Sequence, residues 1–268
     1  QYQTGWYRFT SDGLCFDPLA NVVYSIKYGY IYQTPLFDPT FRSTSVLMSA
    51  NYTSTPQTAI VSTLLCDSQN RKLFVVDTTG RTVWSLDLPS VRQEMTSKSL
   101  LPLGSYPPPA LGFYGMEWDA TRTFIFAVDP NQKRIAKIHT TNSALNTFIN
   151  TAPFAFNDPR GLAYDSTSNA LYVTDASLKA IVRVPLSTPG ATAILNTGIY
   201  QWFSPSAITL DTVRRLLYVT DADTFGIVRV PLANPTLAQR INYGTTDIRP
   251  PGALAIDSKN NILYVVDN

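Results

Sequence analysis

The segment GLAYDSTSNALYVTDASLKAIVRVP, Gly161 to Pro185, returns as AITLDTVRRLLYVTDADTFGIVRVP from Ala207 to Pro231, and again as ALAIDSKNNILYVVDN from Ala253. Near-copies of this kind constrain a chain more than its composition does. A single unit is too small to bury its own apolar face, so equivalent units must pack on one another. Weaker copies lie upstream, starting at Leu14, Leu64 and Met116. Each copy has an aspartate at one position: Asp17, Asp67, Asp119, Asp165, Asp211 and Asp257. Their spacings of 50, 52, 46, 46 and 46 residues match propeller blades and exceed leucine-rich or ankyrin periods. A second aspartate follows ten residues later at Asp77, Asp129, Asp175, Asp221 and Asp267, while the first copy has Lys27 there.

Inside a unit the pattern is strand, turn, strand, turn, strand. In the fourth copy LAYD is a short apolar run, STSN is turn chemistry, and ALYVTD mixes large apolar with β-branched residues. ASLK turns again, and IVRVP is a strand ended by Pro185. More variable fourth strands are expected near Val46–Ser49, Leu100–Leu103, Asn146–Ile149, Ala193–Asn196 and Ala238–Ile241. No helical period persists. The expected fold is all-β, a six-bladed β-propeller forming one domain over residues 1–268.

The motifs GLAYDSTSNALYVTD and AITLDTVRRLLYVTD resemble the NHL repeat and the YWTD repeat of lipoprotein-receptor propellers. The likeness runs over essentially the whole chain. It implies the six-bladed fold and leaves function open, because such folds host binders and enzymes alike.

Propeller rings normally close by sharing one blade between the two chain ends, which removes an exposed sheet edge. The sixth copy stops after its second strand, and Gln1–Phe9 carries one strand-like run, Trp6-Tyr7-Arg8-Phe9. Three readings stand: this segment completes the blade, a neighbouring subunit adds a strand, or the chain is shortened. Head-to-tail strand donation is a heterologous contact, which builds open filaments unless the rotation closes.

Lys plus Arg number 21 against 19 Asp plus Glu, with no basic run, which argues against nucleic acid as a partner. No apolar stretch reaches the roughly 18 residues of a membrane-spanning helix, so membrane insertion is not expected. The Gln1 start reads as a mature end left by signal-peptide removal, with an artificial start as the alternative. Asn51-Tyr52-Thr53 is a glycosylation sequon. Cys15 lies two residues before Asp17 and Cys66 one residue before Asp67. Strand alternation therefore points the two thiols from opposite faces of adjacent inner strands, toward each other between blades one and two. A disulfide is the expectation, with two buried free cysteines as the alternative. Together these features favour a secreted, extracellular protein.

His139 is the sole histidine and lies near an outer blade edge, which excludes sites built on two or three histidine ligands. Among the two glutamates, Glu117 falls on an inner strand and is the weak candidate for a calcium ligand, with Asn157, Asp158 and Asp247 on nearby loops. The alternative for these groups is pairing with arginine and capping of turns. The repeated aspartates are read as blade architecture. The connections between blades break the repeat and are rich in aromatics: Tyr106, Phe113, Tyr114, Phe156, Tyr200 and Trp202, with Arg249. Such residues suit binding hot spots and sugar stacking, and the alternative is that they plug the tunnel mouth. The functional expectation is a secreted non-enzymatic interaction or structural module that binds a protein partner, itself or a carbohydrate, and is able to form fibres by strand addition. The rival is a calcium-dependent propeller hydrolase or lactonase.

Overall fold

The computed structural model describes residues 13–27, 30–36, 44–46, 61–77, 82–88, 98–100, 113–241 and 251–267. Among them, five antiparallel four-stranded sheets and one two-stranded sheet follow one another along the chain, each pairing its strands in chain order. Blade one uses Leu14–Asp17, Val22–Lys27, Tyr30–Pro35 and Thr44–Val46; blade two uses Val61–Asp67, Lys72–Asp77, Thr82–Asp87 and Lys98–Leu100. Blade three uses Met116–Trp118, Phe124–Asp129, Arg134–His139 and Thr147–Phe148; blade four uses Pro159–Asp165, Ala170–Asp175, Ala180–Pro185 and Ala193–Ile194. Blade five uses Pro205–Asp211, Leu216–Asp221, Gly226–Pro231 and Gln239–Ile241, and the sixth unit shows Pro251–Asp257 and Ile262–Asp267. The described fourth strands of blades one and two include Val46 and Leu100 of their expected ranges, whose remaining residues, 47–49 and 101–103, lie outside the described residues.

First strands pack beside one another in chain order, and that of the sixth unit packs on that of blade one. Leu14 and Val23 share a core cluster with Ala255, Tyr264 and Val266, which seals this junction. The chain is therefore a β-propeller, with five complete blades and a sixth sheet described by two strands. The core lies between blades. Ala170–Asp175 is buried at all six positions because a second strand is covered on both faces by neighbouring sheets.

The repeated residues each have a mechanical role. The first aspartate caps its own turn: Asp17 Oδ1 accepts from the Leu19 and Ala20 amides at 3.0 and 3.3 Å, and Asp211 and Asp257 do likewise. Arginines in the following blade reach back to three of these buried carboxylates, Arg71 to Asp17, Arg122 to Asp67 and Arg215 to Asp165. All three arginines hold positive φ (54°, 57° and 59°), as do Asn21, Asn169 and Asn261 in the equivalent turns of the other three units. Burial alone would raise the Asp165 carboxyl, but hydrogen bonds from Arg215 and Ser168 outweigh it and hold the group down at about 2.

The threonine of the TD pair serves a bulge. Register slips between Pro159 and Leu162 and between Pro205 and Ile208 leave amides without a ladder partner. Thr174 Oγ1 accepts from Gly161 N at 2.7 Å and Thr220 Oγ1 accepts from Ala207 N at 2.9 Å. The Thr174 hydroxyl then donates to the Ser206 carbonyl of the next blade. Here the backbones come so close that a Cβ on Gly161 would lie 2.4 Å from the Ser206 oxygen. Small side chains at this level are a condition of closing the ring.

Candidate functional site

Turns between second and third strands share one face with the connections between blades, and the second aspartates tie the two together. Asp175 accepts from the Asn157 and Asp158 amides at 2.7 and 3.0 Å, ahead of its own blade, and from Leu178 N at 3.0 Å. Asp221 holds Phe203 N and Ser204 N at 3.2 and 2.7 Å in the same way. Each carboxylate is buried and positions a loop that the repeat itself does not specify.

The connection from blade four to blade five is braced further. Trp202 Nε1 donates to Thr197 Oγ1 at 3.0 Å, Gly198 N to Asn196 Oδ1 at 3.0 Å, and the Tyr200 hydroxyl to Asp221 at 3.2 Å. Burial, then the charge of Asp221, push the Tyr200 phenol up to about 12, so it stays a donor. Gly198 has φ 66°, and a Cβ there would meet the Thr236 oxygen at 2.4 Å, so the loop rests directly on blade five. These restraints hold Ile199 out in solvent at 96% exposure. Beside it lies an open cleft of ≈ 460 Å³ whose walls include Lys179, Ile194, Leu195, Tyr200, Trp202 and Phe203. The Lys179 ammonium stands 5.9 Å from the Phe203 ring centroid, and Phe203 is 49% exposed.

The residues expected from sequence to form an aromatic binding face divide into two groups. Phe113, Phe156 and Trp202 are buried in three different inter-blade clusters, where their area fills gaps between blades. Tyr114 is 38% exposed, and Tyr200 is half-buried against Trp202 with ring centroids 4.7 Å apart. Tyr106, Arg249 and the sequon residue Asn51 lie outside the described residues, as do Asp247 and Gln1–Phe9. In the connection from blade four to blade five, Ile199 and Phe203 face solvent and adjoin the inward rings in sequence. Only Phe203 carried a signal, its place in the Tyr-Gln-Trp-Phe run. Lys179 carried none, since its turn reads as ordinary turn chemistry.

Cys15 and Cys66 form the expected disulfide, with Cα atoms 5.9 Å apart. Glu117 is half-buried on the first strand of blade three, where its Oε1 accepts from Trp118 N at 2.9 Å. Burial dominates its surroundings and pushes the carboxyl up to about 7. Its proposed companions are otherwise engaged: Lys133 donates to Asn157 Oδ1 at 3.1 Å, and Arg160 pairs with Asp158 at 2.9 Å. Among the described residues, no three of His, Cys, Asp or Glu gather as a ligand set. His139 ends the third strand of blade three, its Nδ1 accepting from the Thr141 and Asn142 amides at 3.1 and 3.0 Å. It is thereby a turn acceptor.

The class these observations define is a β-propeller with a braced loop and cleft at the junction of blades four and five. No family model matches the chain, and no curated protein matches it by sequence. Solved structures are similar to it. A nidogen/laminin complex chain aligns at TM-score 0.66 and 19% identity, covering 95% of this chain and 83% of that one. A virginiamycin B lyase from Staphylococcus aureus aligns at 0.62 and 16%, covering 96% and 83%, and a streptogramin B lyase at 0.62 and 18%, covering 95% and 75%. They share the fold with one another and with this chain, across a protein complex and enzymes.

Proposed function

We propose that this protein is a secreted, non-enzymatic β-propeller that binds a protein partner through the face at blades four and five. One observation carries the reading: a loop held by five restraints keeps Ile199 in solvent beside an open cleft. An exposed apolar group on a pre-organised loop has no role in folding, and pre-organisation lowers the cost of binding. The Cys15–Cys66 disulfide supports an oxidising compartment, and glycosylation at Asn51 belongs to the same reading. The nidogen structure comes from a complex with laminin, and a protein-binding role is carried here as a proposal on that fold. The whole chain is taken as one propeller, its sixth sheet completed by Gln1–Phe9 or by a strand from a second copy, the latter building filaments.

Cross-linking mass spectrometry of the protein in the medium of cells that secrete it tests the reading. Wild type is expected to cross-link to a defined protein through residues 179–203, and an Ile199→Asp, Phe203→Ser variant to lose those links. Identical links in both refute it. Mass photometry separates the two completions of the sixth sheet: filaments indicate strand exchange, and particles near 29.7 kDa exclude it.

A further inference from the structure

Chemistry at the cleft restricts what the partner presents. Six of its lining residues set the character: Lys179 is the charged one, and Ile194, Leu195, Tyr200, Trp202 and Phe203 supply apolar and aromatic surface. No carboxylate lines it. Among the described residues Lys179 enters no salt bridge; its near neighbour is the Phe203 ring. It occupies the left-handed position of its turn, φ 52°, closed by its own amide donating to the Ala176 carbonyl at 3.3 Å. The turn thus sets the Lys179 backbone at the cleft, and its ammonium lies over the Phe203 ring at the edge. A second cation, Arg240, adds its field at Tyr200 and leans on the adjoining turn through the Phe225 carbonyl at 3.4 Å. Of the nearby acids, Asp221 is buried and committed to the Tyr200 hydroxyl and two amides, and its charge outweighs that of Arg240 at Tyr200, while the exposed Asp223 lies on the turn of blade five, outside the cleft lining. Lys179 is therefore the cation that gives the cleft edge its charge.

Resting on the protein-binding reading above, we infer that the cleft takes a peptide segment of the partner in which a large apolar side chain is followed by a carboxylate. The apolar side chain fills the space between Leu195 and Phe203, and the carboxylate meets Lys179 at the edge. The occupant is a chain segment rather than a small molecule, since a segment reaches both the cleft and the exposed Ile199 beside it. A volume of ≈ 460 Å³ suits one large side chain with its flanking backbone. Apolar contact supplies the affinity, and the lysine selects, as rim charges do.

The probe is an acetylated heptapeptide with Phe-Glu at its centre in a Gly-Ser context, titrated into ¹⁵N-labelled protein and compared with the Phe-Gln version. The glutamate peptide is expected to move the amides of Lys179, Gly198, Ile199 and Phe203 in a saturable way. It should bind about two- to fivefold more tightly than the glutamine peptide, the worth of one exposed ion pair. Lys179→Glu should turn the preference toward a Phe-Lys peptide while leaving the spectrum folded. Equal binding of the two peptides at these amides overturns the carboxylate requirement and leaves the cleft as an interaction site. No shift at these amides up to ~10 mM, or shifts only elsewhere, overturns the cleft assignment itself. The cross-linking result on the secreted protein then decides separately whether a partner binds at another face.

Discussion

Glu117→Gln is the most informative single change in the ring. The carboxyl sits opposite Phe126 in strand register, and Phe126 packs into the cluster between blades three and four with Leu162 and Leu171. This is also a junction where an arginine clasp is replaced, since Asn169 occupies the turn position that Arg71, Arg122 and Arg215 take elsewhere. Burial raises the folded carboxyl from 4.5 to about 7, only partly opposed by the Trp118 amide and the Arg122 charge. Between those values the folded chain keeps a proton that the unfolded chain has released. Stability therefore falls as pH rises through this window, by about 1.4 kcal/mol per pH unit. The full penalty above pH 7 is about 3 kcal/mol, reduced by the water that reaches a half-buried group. Below 4.5 both states are neutral and the penalty disappears. Glutamine keeps an oxygen for the Trp118 amide and cannot ionise. Urea unfolding of wild type and variant at pH 4.5, 6, 7 and 8 should give equal stabilities at the lowest pH and a variant more stable by about 2–3 kcal/mol at the highest. Parallel pH profiles, or a gain that is largest in acid, would refute the reasoning.

Arg215→Ala should cost about 1–2 kcal/mol at neutral pH, allowing for solvent at the arginine. Because the clasp depresses Asp165 from 3.8 to about 2, that stability is present above pH 4 and fades as pH falls toward 2; a variant whose deficit persists undiminished at pH 2 contradicts this. Replacing Cys15 and Cys66 by alanine opens a loop with a sequence separation of 51 and should lose about 2–4 kcal/mol in denaturant titration; an unchanged midpoint would show that the crosslink does not limit the unfolded chain. Trp202→Ala, which removes a buried ring, should cost about 3–5 kcal/mol in thermal or urea unfolding, so a fully stable variant would place the ring outside the core. Gly198→Ala should raise amide exchange across residues 196–203 by opening the contact with Thr236; unchanged protection would mean that the loop does not depend on it.

Much of the propeller was legible because its code is local. Asp17, Asp211 and Asp257 bond to amides two or three residues ahead, so their spacing to the next strand is readable in any one copy. The Cys15–Cys66 bridge was legible for the same reason, since alternation along two neighbouring strands fixes which way each thiol points. The candidate site was read only in outline. Its connection was singled out by Tyr200 and Trp202, yet those rings turned inward while Phe203 and Ile199 turned outward, and an irregular loop has no period from which to read that choice.

By itself the sequence determined the unit with its strands and turns, because hydrogen bonds within a turn and side-chain alternation act over a few residues. Only the tertiary structure decided which residues meet across blades. The Arg215 clasp on Asp165 spans 50 residues, Gly161 is required by an oxygen from the next blade, and Lys179 borders a cleft formed with a connection some twenty residues on. Such neighbours depend on how closely the closed ring brings one sheet to the next, and that distance is a property of all the inter-blade cores packed together rather than of any segment.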